Sequence, residues 1–528
     1  MREQIASSRL TKTAGSPRAG SLGLGIGLLA LAMCAMACFA ASAPAANRIY
    51  WANSNNKISF VALDATEAGD LTTTGATASS PMGVTIDSAA GRIYWANSND
   101  TISFANLNGS GGADLITTGA TVDEPIGVAV DPAAGRIYWA NGAADKISFA
   151  NLNGSGGDDL ITTGATVDGP ASVAVDPTAG RIYWTNANGN KISFANLNGS
   201  GGADLITTGA TVSDPIGIAV DPAAGRIYWA NSGGVNKVSF ANLNGSGGAD
   251  LITTGATVSN PTGVAINPAA GRIYWANTSG KISFANLNGT GGGDLPTLAA
   301  TVSGPHFPAL LEAPSPTGAP VVGGGAAVGS TLNCAGGSWA PDLLASFLYR
   351  APQQLTYSWS LDGATIAGAS SATQTATAPG AYRCTVTASN QAGSASQSSA
   401  PSTVLPPALG FGASPLVTLK LGATRIAAGG PLKVVVANGN SFSVGVRLSV
   451  QTAKKVGSPK PRLVKLSAKP VSVVARAQRT IKLKLPKVLR DLLERKGAIS
   501  LRLSAAVTDP SGGSRTVVKR VTPKLKLP

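Results

Sequence analysis

The sequence predicts an all-β chain, a six-bladed β-propeller followed by two β-sandwiches, and three observations carry that expectation. The first is the tetrapeptide Tyr-Trp-Ala-Asn, or a close variant, which occurs six times. Its tryptophans are Trp51, Trp95, Trp139, Trp184, Trp229 and Trp275, 44 to 46 residues apart. A period of that length, built from short strand-like runs and Gly/Asn turns, marks four-stranded blades around an axis. The second is a pair of cysteines, Cys334 and Cys384, on either side of Trp359. The third is alternation such as Val417-Thr-Leu-Lys-Leu421 and Thr480-Ile-Lys-Leu-Lys-Leu485. It places basic side chains on one face of strands whose other face is apolar.

One unit of the array, read from Pro125, contains four β-prone runs: Gly127 to Val130, Arg136 to Ala140, Lys146 to Leu152, and Asp159 to Thr163. Each is rich in Val, Ile, Tyr, Trp, Phe or Thr and bounded by Gly, Pro, Asn or Asp. Asp131-Pro132 suits the start of a type I turn, and Asn153-Gly154 the positive-φ positions of a tight hairpin. No helix-period stripe competes in residues 47–304.

The order Gly-Val-Ala-Val-Asp, Arg-Ile-Tyr-Trp, Lys-Ile-Ser-Phe-Ala-Asn-Leu-Asn-Gly-Ser resembles the YWTD repeat, or low-density-lipoprotein-receptor class B repeat. That resemblance covers about half the chain and implies a six-bladed propeller. It is specific for fold and says little about function. The family's Thr-Asp is Ala-Asn in five copies and Thr185-Asn186 in the fourth. Asparagine keeps the acceptor oxygen and loses the charge, so a weaker turn hydrogen bond is expected here.

The two ends of the array complement each other. The first copy starts at Arg48-Ile49-Tyr50-Trp51 without its inner strand, and Pro305-His306-Phe307-Pro308-Ala309-Leu310-Leu311 lies where a surplus inner strand would begin. Pairing the two closes the ring and removes its exposed edge, with Pro308 making the strand irregular.

The chain has 528 residues, too many for one core. Its N-terminus carries Arg2, Arg9, Lys12 and Arg18, an apolar run from Leu22 to Ala41, and small residues before Ala45. This reads as a secretory signal cleaved near Ala43 to Ala45. An uncleaved membrane anchor is the alternative, and a lipoprotein attached through Cys34 or Cys38 a weaker one. Cleavage leaves Cys334 and Cys384, which suits one disulfide in an oxidising compartment. The pattern Cys334…Trp359…Tyr382-Arg-Cys384 resembles an immunoglobulin-like domain, in which the tryptophan packs on the paired cysteines. Residues between Trp339 and Gln354 stretch the first interval beyond the usual spacing. The expected domains are therefore 1–45 signal, 46–312 propeller, 313–320 linker, 321–403 immunoglobulin-like, 404–410 linker and 411–528 basic sandwich, with one short helix over Val488 to Lys496.

Charge is divided unequally. Residues 408–528 hold 24 Lys/Arg against Asp491, Glu494 and Asp509, a surplus of +21. Residues 47–304 hold 11 Lys/Arg against 19 Asp/Glu, a balance of −8. The net +15 therefore conceals a bipolar molecule.

Catalytic chemistry has few residues to work with. His306 is the only histidine, and no free cysteine survives processing, so zinc sites, Cys-His pairs and Ser-His-Asp triads are excluded. Asp87, Asp131, Asp176 and Asp221, with Asn267 next, recur at one position and read as turn formers. Glu124 and Asp145 break the repeat without an evident partner. The stretch from Asn106 to Asp114 lacks the spacing of a calcium loop and reads as a hairpin turn. No catalytic residue, metal or cofactor is expected.

The reading is a secreted or cell-surface, non-catalytic, monomeric scaffold. A protein or glycan ligand is expected on the propeller, and anionic wall polymer or lipid headgroups on the basic domain, whose alternative is a solvated Lys/Arg face kept for solubility. Nucleic acid is disfavoured by the secretion signal. The competing reading is a secreted propeller lyase or lactone hydrolase, which would need polar residues at the channel mouth that break the repeat.

Overall fold

The computed structural model describes residues 46–406, 409–427, 429–457 and 459–526; the expected leader lies outside them. Six small antiparallel sheets form the ring. Blade 2 runs Pro81–Asp87, Arg92–Asn97, Thr101–Asn106 and Ala113–Leu115, from the axis outward. Blades 3 to 6 repeat it from Pro125, Pro170, Pro215 and Pro261. Blade 1 is made from both ends of the array: Pro305–Leu311 is the inner strand beside Arg48–Asn53, Lys57–Ala62 and Ala68–Asp70. Tyr50 pairs with Ala309 and Ala52 with His306, so the ring closes as the surplus strand predicts.

The closing strand is irregular at Phe307–Pro308, opposite Trp51, but a shift is not peculiar to it. A register shift occurs in the inner pair of all six blades, at Tyr50/Ala52 and, for example, at Pro81/Val84 and Pro215/Ile218. It belongs to the crowding of strands at the axis. A Cβ on Gly217 would lie 2.2 Å from the Cα of Gly263, and one on Gly263 would lie 2.3 Å from the Cα of Phe307. Only a residue without a side chain permits that approach.

The outer strands are shorter than expected. In blade 3 the fourth strand is Asp158–Asp159 rather than a run to Thr163, and Asn153-Gly154 lies in a longer loop. There the Asn153 Oδ1 accepts the Ser155 amide, and Gly154 and Gly156 both have positive φ. Each repeated tyrosine tilts against the phenylalanine of the third strand, with centroids 5.6 to 6.3 Å apart. An arginine guanidinium covers the same phenylalanine at 4.6 to 5.0 Å. Half-buried cation–π contacts of this kind stabilise the pairing of the second and third strands within each blade.

The next unit is a two-sheet sandwich. Val322–Gly324, Thr331–Cys334 and Thr373–Thr375 form one sheet, and Ala364–Thr365, Gln354–Leu361, Gly380–Asn390 and Gly393–Ser398 the other. The Cys334–Cys384 disulfide joins them. Trp359 is buried opposite Cys384, and the Tyr382 hydroxyl donates to the Ala378 carbonyl at 3.0 Å.

The long interval between Cys334 and Trp359 has a definite use. Residues 340–352 leave the sandwich and form a plug that seals one end of the propeller. Leu344–Ser346 forms a 3-10 turn, Phe347 takes φ 55°, and Leu348 and Tyr349 pair in parallel with Leu310 and Leu311 of the closing strand. The Ser346 hydroxyl donates to the Val220 carbonyl at 2.7 Å, and the Tyr349 hydroxyl lies 2.6 Å from Thr85 Oγ1. Phe347, Leu348 and Tyr349 are all buried. Nor is 313–320 a free tether, because Pro316–Gly318 pairs with Ser338–Trp339 and the Asn390 amide donates to the Glu312 carbonyl at 2.7 Å. At the other boundary, Leu405 bridges Ala327.

The basic domain is a second sandwich. Val417–Leu421, Leu432–Asn438 and Gln478–Leu483 face Lys465–Ser467, Val444–Thr452, Leu501–Thr508 and Ser514–Val521. Its core is aliphatic, built from residues such as Val434, Leu448 and Leu503. The helix runs Lys487–Lys496, one residue earlier than expected, seats Leu489 and Leu493 on that core, and ends at Gly497 in the left-handed region.

The sealed joint predicts a stability effect. Leu310 is fully buried between Ile49 and Leu348. Leu310→Asp should lose more than about 4 kcal/mol, combining a cavity with an unpaired buried charge. A calorimetric melt should show propeller and immunoglobulin-like unit destabilised together. A melt unchanged from wild type would refute the joint.

Candidate functional site

The repeated residues form a polar relay in every blade. Each tryptophan is buried, and its indole N–H donates to a threonine carbonyl in the loop entering its own blade, at 2.8 to 3.0 Å: Thr301, Thr77, Thr121, Thr166, Thr211 and Thr257 in blade order. The asparagine two residues on is equally buried. Its oxygen accepts a backbone N–H from that loop, and its amide donates to a third-strand serine at 2.8 to 2.9 Å.

The serine in turn donates to an aspartate on the fourth strand: Asp70, Asp114, Asp159, Asp204, Asp250 or Asp294. The charge expected to be lost with Ala-Asn therefore sits on a different strand. Burial alone would raise these carboxyls. The serine and threonine donors, with lysine in five blades, outweigh it and bring Asp159, Asp250 and Asp294 down to about 2.

Blade 2 departs from the others. Lys57, Lys146, Lys191, Lys237 and Lys281 each hold the aspartate of their blade at 2.6 to 2.7 Å. Thr101 stands at that place in blade 2, and Asp114 is the one exposed member of the set. The sequence shows this as Lys and Asp 13 residues apart in five copies, a signal the repeat reading leaves unused.

The remaining candidates resolve into structure. Asp87, Asp131, Asp176, Asp221 and Asn267 each accept the N–H three residues on, as turn formers do. Asp145 is not a break: with Asn56, Asp100, Asn190 and Asn236 it occupies a recurring positive-φ position. There its Oδ1 accepts the Gly169 N–H at 2.7 Å, bridging to the next blade. Glu124 receives the equivalent bridge, its N–H donating to Asp100 Oδ1 at 2.8 Å. Asn108 accepts from Ser110, completing a turn. Among the described residues, no group of three or more His, Cys, Asp or Glu could hold a metal ion.

The channel gives little room for chemistry. Gly83, Val84, Val128, Ser172, Val264, Phe307, Pro308 and Phe347 converge on the axis and leave no water-sized space between them, whereas ligand pockets begin at roughly 300 Å³. A larger groove of about 520 Å³ lies beside the plug, between Leu343 and Leu344 and the turns of Asp131, Asp176 and Asp221. The opposite end stays uncovered by the plug. Its loops carry Asp100, Asp123, Glu124, Asp145, Asp168 and Asp214, and His306 lies at the closure with Nε2 3.1 Å from Ser54 Oγ.

Two measurements follow. Thr101→Lys should complete the sixth ion pair and raise the melting temperature by about 1–3 °C, the modest gain of a half-exposed pair. A fall in melting temperature would show that blade 2 rejects the cation. Burial lowers the His306 pKa to about 4, whereas an unfolded histidine titrates near ~6.5. A folded-state pKa below the unfolded one gives stability that is present above pH ~6.5 and lost as pH falls toward 4. The loss is on the order of 3 kcal/mol at most. The fourth-strand aspartates lose theirs only below the unfolded carboxylate value. The denaturant midpoint of wild type should therefore fall relative to that of His306→Gln as pH drops across that window, and a constant offset would refute the assignment.

With this geometry in view, residues 180–222, which run from the second strand of blade 4 to the inner strand of blade 5, match the low-density lipoprotein receptor repeat class B family. No curated protein matches the chain by sequence. Among solved structures, the chain is similar to one in a nidogen/laminin complex, at 19% identity and a TM-score of 0.42, over 50% of this chain and 98% of that one. A Kuenenia stuttgartiensis hydrazine synthase chain is similar at 14% identity and 0.35, over 45% and 72%. A putative TolB from Agrobacterium tumefaciens is similar at 10% and 0.35, over 48% and 89%. Residues 180–222 thus match one low-density-lipoprotein-receptor class B (YWTD) repeat, and the other blades of the propeller repeat its Tyr-Trp, asparagine, serine and aspartate positions.

Proposed function

We propose that the chain is an extracellular, non-catalytic binding protein. Its propeller recognises a protein or glycan through the end left open by the plug, and its basic domain tethers it to an anionic surface. One observation carries the first half: the molecule fills its own channel and seals one end with the following domain, leaving a rigid ring whose other end displays carboxylate and amide loops. Loops on a rigid scaffold suit recognition. The repeat family and the Cys334–Cys384 bond are consistent with an extracellular setting. The second half rests on charge, since the basic domain carries a surplus of +21, and 24 cations held near one another favour a polyanion.

The test uses the whole chain, because a propeller cut at residue 312 would lose its plug. Wild type is compared with an open-end variant, Asp123→Asn/Glu124→Gln/Asp168→Asn/Asp214→Asn, in crosslinking to envelope material of the producing cell. The expected result is a partner captured by wild type and lost from the variant. Capture that ignores those four substitutions would reject the open end as the recognition face.

A further inference from the structure

The strand register of the basic domain gathers its charge into a line. Gln451 pairs with Lys465 on one side and with Arg502 on the other, and Arg502 pairs with Arg520. Directly paired residues share a face, so Lys465, Gln451, Arg502 and Arg520 form one row across four strands. The row spans three interstrand spacings, about 14 Å. Lys465, Arg502 and Arg520 are exposed. Two residues along lies a second row, Ser467, Ser449, Ser504 and Val518, from the same registers. The outer face therefore has a ridge of long cationic side chains beside a floor of three serine hydroxyls and Val518.

The row is electrostatically unfavourable as it stands. Arg502 and Arg520 are like charges directly across a ladder, an arrangement that destabilises a sheet. No acid relieves them: Asp491 is on the helix beside Lys487, Glu494 is on the same helix, and Asp509 is held in a turn by Phe411, Ser511 and Gly513. A solubility surface needs no such alignment, and interspersed signs serve it better.

We infer that this row is the binding site for a linear anionic glycopolymer, an extended polyol or sugar chain bearing phosphate or carboxylate groups. Arginine forks bind those groups in bidentate fashion, and the serine floor offers hydrogen bonds to the chain's hydroxyls. Two observations separate this ligand from other polyanions. Cations also line the opposite sheet, where Lys433 pairs with Lys482, so the charge is not collected on one plane as a lipid surface would require. The domain's only aromatic residues are Phe411 and Phe442, both partly buried, which leaves no exposed ring for bases to stack on. The inference rests on the tether reading above and assigns it a place.

The test compares three full-length proteins: wild type, a row variant (Lys465→Gln/Arg502→Gln/Arg520→Gln), and a charge-matched control on the other sheet (Lys420→Gln/Lys433→Gln/Lys482→Gln). All six sites are exposed, and melting curves confirm folding. The probes are poly(glycerol phosphate), polygalacturonate, phosphatidylglycerol vesicles and duplex DNA. The row variant should lose about tenfold or more in affinity for the two polymers, with a salt slope shallower by about 2–3, while the control loses only a few-fold. Arg502→Lys/Arg520→Lys should recover part of the loss, because charge returns without the fork. Equal loss in row variant and control would remove the site and leave the tether standing. Tighter wild-type binding to vesicles or DNA than to either polymer would refute the ligand class. Absence of wild-type binding to every probe would overturn the tether reading itself.

Discussion

The closing strand Pro305–Leu311 is the constraint on which the ordered architecture depends, because it serves two partners at once. On one edge it supplies the first blade with its inner strand; on the other it receives Leu348 and Tyr349 from the plug. A propeller otherwise leaves one open edge, and open edges invite pairing with other chains. Here the edge is used twice, by the array's own terminus and by the domain that follows. The polar relay of blade 1 repeats this economy. Trp51 and Asp70 bind Thr301, some 250 and 231 residues away, with the same bonds that other blades make over 18 and about 38.

The relay also accounts for where charge is kept. The propeller spends its lysines internally, one per blade in five blades, against fourth-strand aspartates. What remains for solvent is mainly acid at the open end. The basic domain does the reverse. Among its described residues, one ion pair, Lys487 with Asp491, occupies a lysine. Two modules with opposite surpluses, each unneutralised within itself, are suited to different partners rather than to one continuous surface.

Much of this is legible in the sequence, for identifiable reasons. A residue type recurring every 44 to 46 positions reports the blades directly, and the missing first inner strand reports the closure. The cysteine pair with Trp359 and Tyr382 reports the sandwich. The plug is not legible. It occurs once, has no period, and depends on contacts such as Ser346 with Val220 that cross 126 residues. All that the sequence shows is an overlong interval between Cys334 and Trp359. The cationic row is half legible: alternation places lysines and arginines on outward faces, but only the register between strands aligns Lys465 with Arg502 and Arg520. Position along a strand can be read from period 2; position across strands depends on turns and bulges.

The closing strand has a consequence for the order in which the molecule can assemble. The strand at Arg48–Asn53 finds its inner neighbour only at Pro305–Leu311, so the contact that completes the ring is among the most distant in the chain. Loop-closure entropy must be met before that contact contributes, and folding slows as such non-local pairing dominates. During synthesis five blades can form while the first remains a three-stranded ribbon with a free inner edge. The plug must wait longer still, until Leu348 and Tyr349 have emerged. Maturation of the ring is therefore coupled to the arrival of the immunoglobulin-like unit. A chain interrupted before residue 305 would present both an unpaired edge and an unsealed end, and one interrupted between 312 and 347 an unsealed end alone. Those are the features by which a quality-control factor recognises an unfinished protein.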